Sequence, residues 1–204
     1  MAIKAALAIL AVRIFAAPAA LKQRASCPNI HIFGARETTA PAGYGSAGTK
    51  DQAYASSVQA GVQAVTNQVS AFAEQCPGTQ LVLVGYSQGA QIEDDALCGG
   101  GDPNEGITNS AATITQYNIK AVIWAGDPRF TPGESFHVGS ATVGGFDQRP
   151  SSQLSCGQFN SLIQSYCDAS DPYCSDGDDP ATHEGYGSEY GSAALAFVKT
   201  KLTS

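Results

Sequence analysis

Leu81-Val82-Leu83-Val84 is a continuous apolar run that passes directly into Gly85-Tyr86-Ser87-Gln88-Gly89. Four successive apolar residues bounded by turn signals read as a strand covered on both faces, the kind found in parallel sheets. Gly-x-Ser-x-Gly between such a strand and a helix, expected here from about Gln88 to Leu97, sets the serine on a tight, strained turn. The flanking glycines give neighbouring chains room. The Gln88 N–H, at the helix N-terminus, faces any oxyanion that develops beside the serine.

The rest of the chain repeats the alternation. Ile30-His31-Ile32-Phe33 reads as a short strand ending at Gly34, and residues 34–51, rich in Gly, Thr, Ala and Pro, read as loop. Val58, Val62, Val65, Val69 and Phe72 follow helical spacing within a segment running from about Gln52 to Gln75, and Cys76-Pro77-Gly78 stops it. Lys120 to Trp124 is a further strand, ended by Gly126-Asp127-Pro128, and Leu162 to Tyr166 a weaker one. Ser188 is the expected N-cap of a last helix reaching about Leu202, with Tyr190, Ala194, Phe197 and Val198 turned inward. Strands alternating with helices predict an α/β fold with a parallel sheet, whose site lies at the carboxyl ends of the strands.

Residues 1–25 stand apart. Lys4 precedes an apolar stretch from Ala5 to Val12 and from Ile14 to Ala17, and Ala17-Pro18-Ala19-Ala20 suits signal peptidase. Leu21-Lys22-Gln23-Arg24 reads as the end of a short pro-segment. The run is too short to span a bilayer. One domain, residues 26–204, is expected to be secreted. It carries 7 basic against 18 acidic residues, net −11, which excludes nucleic acid and anionic membranes as partners and suits a neutral substrate. Six cysteines, Cys27, Cys76, Cys98, Cys156, Cys167 and Cys174, imply three disulfides in an oxidising compartment, with fifteen pairings open. No Cys-x-x-Cys pair exists, and neither His31 nor His137 has a cysteine at ligand spacing, so no metal is expected.

A nucleophilic serine needs a base and an orienting carboxylate. His31 lies inside a strand and His137 reads as a surface residue. His183, in the glycine-rich stretch Thr182-His183-Glu184-Gly185 ahead of the last helix, comes last in the order Ser, acid, His and is the expected base. Asp127, Asp147, Asp168 and Asp171 are candidate acids. Asp147 has Arg149 nearby as an ordinary ion-pair partner. Asp171 lies within Cys167-Asp168-Ala169-Ser170-Asp171-Pro172-Tyr173-Cys174; were these two cysteines to pair, an eight-residue ring would hold its carboxylate rigidly. The run Asp176, Asp178, Asp179 lacks calcium-loop spacing and reads as a solvated loop.

Taken together, these residues resemble fungal acetylxylan esterases of the cutinase-like carbohydrate esterase family. The resemblance runs through Cys27-Pro28, Phe33 to Thr39, Gly85 to Gly89, Ala96 to Asn104, Gly145 to Pro150, Ser165 to Cys174 and Gly185 to Gly191. Cys-x-x-x-Asp-x-x-Cys with a histidine twelve residues after the aspartate is its most specific part. It implies a lidless three-layer α/β-hydrolase with a mostly parallel sheet. It also implies a Ser87, Asp171, His183 triad and an oxyanion hole from the Thr38 and Gln88 N–H groups. The implied disulfides are Cys27–Cys76, Cys98–Cys156 and Cys167–Cys174. Such a protein acts, as a monomer and without cofactor, on acetyl esters of an acetylated polysaccharide, xylan. A cutinase acting on longer acyl esters shares the whole triad. The chain departs from the family where Ala42 to Thr49 runs almost directly into Asp51 to Ser57: about thirty residues, including one edge strand of the sheet, have no counterpart. A catalytically impaired secreted protein is therefore a third reading.

Overall fold

A computed structural model describes residues 26–37, 54–101, 106 and 110–202. The signal-like residues 1–25, Thr38 and the shortened stretch from Ala42 to Ala53 lie outside the described residues. Five strands, β1 (Ile30–Ala35), β2 (Gln80–Tyr86), β3 (Ile119–Ala125), β4 (His137–Val138) and β5 (Ile163–Tyr166), form one sheet in the order β1-β2-β3-β5-β4. Every pairing is parallel. The helices are α1 (Tyr54–Gln75), α2 (Gln88–Cys98) and α3 (Pro180–Leu202).

The twofold alternation of the strands divides the core. Leu81 and Leu83 of β2 and Val122 and Trp124 of β3 pack with Val69 of α1 and Ala90 and Leu97 of α2. Val82, Ala121 and Ile123 turn to the other face, against Tyr186 and Val198 of α3. Val58, Val62, Val65, Val69 and Phe72 of α1 all face inward, so the 3.6-residue period located that helix correctly. His31 of β1 stacks on Phe72 with ring centroids 4.0 Å apart. His137 differs from expectation. It forms β4, is half-buried beside Phe130, and its Nε2 lies 3.0 Å from the Cys167 carbonyl.

The second difference is larger. Helix α3 begins at Pro180, eight residues before Ser188, so His183 lies in its first turn and not in a loop. Asp179, expected to be merely solvated, supplies the cap. Its Oδ1 accepts the Ala181 N–H at 3.1 Å and its Oδ2 the Thr182 hydroxyl at 2.9 Å. Pro180 then takes the first helical position, where a missing N–H costs nothing.

Among the described residues, the sheet is incompletely covered on the α3 side. Ile32 and Leu195 are 60% and 54% exposed, and with Val82, Val84 and Val198 they line an apolar groove of about 680 Å³. Among the described strands β1 forms one edge of the sheet, with β2 as its neighbour there. Edge strands of this kind are ordinarily blunted by charge, proline or a covering element.

Helix α2 is the opposite case, buried from Gln88 to Leu97. Its acids meet two arginines from the loops that follow β3 and β4. Arg149 Nε donates to Asp94 Oδ2 at 2.6 Å, and Arg129 Nε lies 3.2 Å from Asp95 Oδ1. Arg129 Nη1 also donates to the Gly101 carbonyl and Arg149 Nη1 to that of Gly99, closing the C-terminal end of α2. Asp127 and Glu134 are buried in the same neighbourhood, and Asp147 accepts a hydrogen bond from Gln91. Five carboxyl groups thus surround two guanidinium groups. Burial, opposed by Arg129 and reinforced by Asp94, pushes Asp95 up to about 7. Burial together with Asp94 pushes Glu134 up to about 9.

Both groups keep a proton in the folded protein that the unfolded chain releases near pH 4, so stability declines as pH rises from there. Thermal melts should show the highest Tm in mildly acidic buffer and a steady fall towards pH 9. Glu134→Gln should flatten that fall between about pH 4.5 and 9. A variant whose Tm keeps the wild-type slope would show that Glu134 ionises freely.

Candidate active site

The turn between β2 and α2 has the geometry that its glycines make possible. A Cβ on Gly85 would come within 2.5 Å of the Ala90 Cα, and one on Gly89 would collide with the Ala35 carbonyl of β1. Without those side chains, α2 starts hard against two strands. Ser87, the N-cap, takes φ 54° and ψ −126°, and among the described residues no other non-glycine has positive φ. Its N–H donates to the Ala125 carbonyl at 2.8 Å, and its own carbonyl accepts from Ala90 at 2.9 Å. A residue in this region stores roughly 1–3 kcal/mol of strain, which persists only where surrounding bonds over-determine it. Gln88 opens α2, so its amide is one of the N–H groups that helix bonding leaves free. Its side-chain Oε1 is held by the Ser57 hydroxyl at 3.1 Å.

At the carboxyl end of β5, the disulfide Cys167–Cys174 closes the eight-residue ring around Asp171. The other pairs are Cys27–Cys76 and Cys98–Cys156, and no described cysteine is free. Within the ring Asp171 Oδ1 accepts the Tyr173 N–H at 2.7 Å and the Cys174 N–H at 3.1 Å. Its Oδ2 lies 2.7 Å from His183 Nδ1, and both side chains are fully buried. Burial pushes the Asp171 carboxyl up, but the His183 hydrogen bond and charge and the two amides outweigh it and hold the group below its ordinary range. The carboxylate is therefore ionised and acts only as an acceptor, so Nδ1 carries a proton. That leaves Nε2 as the nitrogen able to take one; it is buried and has no partner among the described residues.

Aromatic rings frame the imidazole. Tyr173 lies 4.4 Å and Tyr86 5.1 Å from it, centroid to centroid, and the Tyr86 hydroxyl donates to the His183 carbonyl at 3.0 Å. Burial, then Glu37, raises the Tyr86 phenol, which stays a neutral donor.

Of the four candidate acids, only Asp171 hydrogen-bonds a histidine. Asp127 and Asp147 belong to the buried cluster beside α2. Asp168 accepts from the Ser140 amide and hydroxyl and from Tyr190. Sequence alone does not mark Tyr86, Tyr173 or Tyr186 as site residues. Tyr186 follows His183 by three residues, a signal that becomes readable only once both are on one helix. No group of three or more His, Cys, Asp or Glu able to hold a metal occurs among the described residues.

The family model described as Cutinase matches residues 47–202. Acetylxylan esterase 2 of Talaromyces purpureogenus is 50% identical over 211 residues, covering 88% of this chain and 89% of that protein. Cutinase 11 of Verticillium dahliae is 45% identical over 227 residues, covering 96% of this chain and 76% of that one. The catalytic core domain of acetyl xylan esterase from Trichoderma reesei superposes with a TM-score of 0.79 at 47% identity, over 86% of this chain and 99% of that structure. The Talaromyces alignment takes in only about 180 residues of this chain against 211 aligned positions, so some thirty residues of that relative have no counterpart here.

The strain at Ser87 gives a direct test. Glycine occupies its backbone conformation at no steric cost. Ser87→Gly should melt at or above Ser87→Ala, with a difference of about 1 kcal/mol in chemical denaturation. A glycine variant clearly less stable than the alanine one would show that the turn is unstrained.

Proposed function

The chain belongs to the cutinase family, and from that premise we propose that it is a secreted serine esterase that removes acetyl groups from xylan. The observation that carries the reading is the buried pair of His183 Nδ1 and Asp171 Oδ2 at 2.7 Å, at the same end of the sheet as the strained Ser87 turn.

In this mechanism Ser87 Oγ attacks the acetyl carbonyl carbon while its proton passes to His183 Nε2. Asp171 keeps the imidazole in the tautomer that makes Nε2 basic, and stabilises the imidazolium that forms. The carbonyl oxygen becomes an oxyanion held by the Gln88 N–H at the start of α2, with the Thr38 N–H as second donor. Collapse of the tetrahedral intermediate breaks the bond to the sugar oxygen, which leaves with the proton from Nε2. Water, deprotonated by His183, then attacks the acetyl-serine and releases acetate. The net acidic surface suits a neutral polysaccharide. Half the residues being identical to a protein named acetylxylan esterase supports the acetyl substrate. The 45% identity to a protein named cutinase supports longer acyl esters as the second reading.

Hydrolysis of 4-nitrophenyl esters separates the two. The acetyl reading expects turnover of the acetate to exceed that of the octanoate by at least about tenfold, the scale on which a pocket discriminates apolar length. Comparable octanoate turnover would move the reading to cutinase. Ser87→Ala should lower turnover by about 10⁴- to 10⁶-fold, and a folded variant that still hydrolyses acetate would remove Ser87 as nucleophile.

A further inference from the structure

We propose that Tyr186 is a positioning residue for the same reaction, its buried hydroxyl sharing the Asp171 carboxylate with His183 and setting how strongly that carboxylate holds the imidazole. The proposal rests on the triad reading above. Three residues along α3 place Tyr186 on the same helix face as His183. Its hydroxyl donates to Asp171 Oδ2 at 2.8 Å, the same oxygen that lies 2.7 Å from His183 Nδ1. The phenol oxygen in turn accepts the Asp168 N–H at 2.9 Å. An amide can only donate, so that bond turns the hydroxyl's single proton towards Asp171. Burial and the neighbouring Asp171 charge raise the phenol, which keeps this proton.

The carboxylate is thereby fixed from both sides, with two amides on Oδ1 and two donors on Oδ2. It cannot rotate without breaking a bond. The Tyr186 donor also withdraws negative charge from the oxygen that faces the imidazole. Without it, Asp171 would stabilise an imidazolium more strongly, and the base would give up its proton only at higher pH.

The test is the pH dependence of kcat/KM for 4-nitrophenyl acetate, after Ser87→Ala has been shown to abolish turnover. In Tyr186→Phe the acid limb should move to higher pH by about half a unit to one unit, the equivalent of one lost hydrogen bond. kcat should fall about three- to tenfold while KM stays within about twofold, because nothing removed touches the substrate. Tyr190→Phe is the structural control. Its hydroxyl bonds the Asp168 carboxylate at 3.0 Å, so it should lower Tm and leave the limb in place. Site-specific 3-fluorotyrosine at position 186, nearly isosteric and a stronger donor, should move the limb to lower pH. A folded Tyr186→Phe protein with the wild-type limb overturns the role of Tyr186 and leaves the triad standing. Turnover retained by Ser87→Ala overturns both. Should Tyr186→Phe fail to fold, the fluorotyrosine protein decides, and an unmoved limb refutes the proposal.

Discussion

A carboxylate taken out of water without a partner costs several kcal/mol, and α2 buries Glu93, Asp94 and Asp95 in succession. Much of the molecule is arranged around that demand. Arg129 and Arg149 come from two different loops to answer Asp94 and Asp95, and each also binds a carbonyl just past the end of the helix. The loops after β3 and β4 are thereby tied to α2. Glu93 turns elsewhere, against Trp124, and burial pushes its carboxyl well above the ordinary range. Breaking one such buried pair by removing a partner typically costs about 3–5 kcal/mol, so the arginines are poor places for substitution.

A helix clamped in this way can hold a strained residue at its other end. Ser87 keeps its unusual backbone because the strand before it and the helix after it are both fixed, and because Gly85 and Gly89 let them approach. Asp171 and His183 are held by unrelated means, a disulfide ring for the one and a capped helix terminus for the other. Each of these three residues thus has its own rigid support at the carboxyl end of the sheet. Such a site loses little entropy on reaching a reactive geometry.

Much of this was legible in the residues. The strand–turn–helix around Ser87, the α1 periodicity and the buried strands follow from apolar spacing, and the sheet is the parallel α/β sheet that this spacing predicts. The start of α3 departs from the sequence expectation for a physical reason. Gly185, Gly187 and Gly191 dilute helix propensity, and the apolar residues ahead of Tyr190 are too sparse to set a period. The capping signal, Asp179 followed by Pro180, was present but lay inside an aspartate run that reads as solvent-facing. The cluster beside α2 could not be anticipated. Sequence shows that Asp94, Asp95, Asp127, Arg129 and Arg149 are charged, but only the packing of loops from distant parts of the chain shows that they are buried together. His137 departs from its surface reading for a similar reason, because a two-residue strand carries no pattern.

The incompletely covered face between β1 and α3 has a thermodynamic consequence. Unfolding raises heat capacity in proportion to the apolar surface newly exposed to water. Ile32 and Leu195 are already largely hydrated in the folded protein, so they add little to that increment. Compared with a chain whose corresponding face is sealed, this one should have a smaller heat-capacity change per residue and a flatter stability curve.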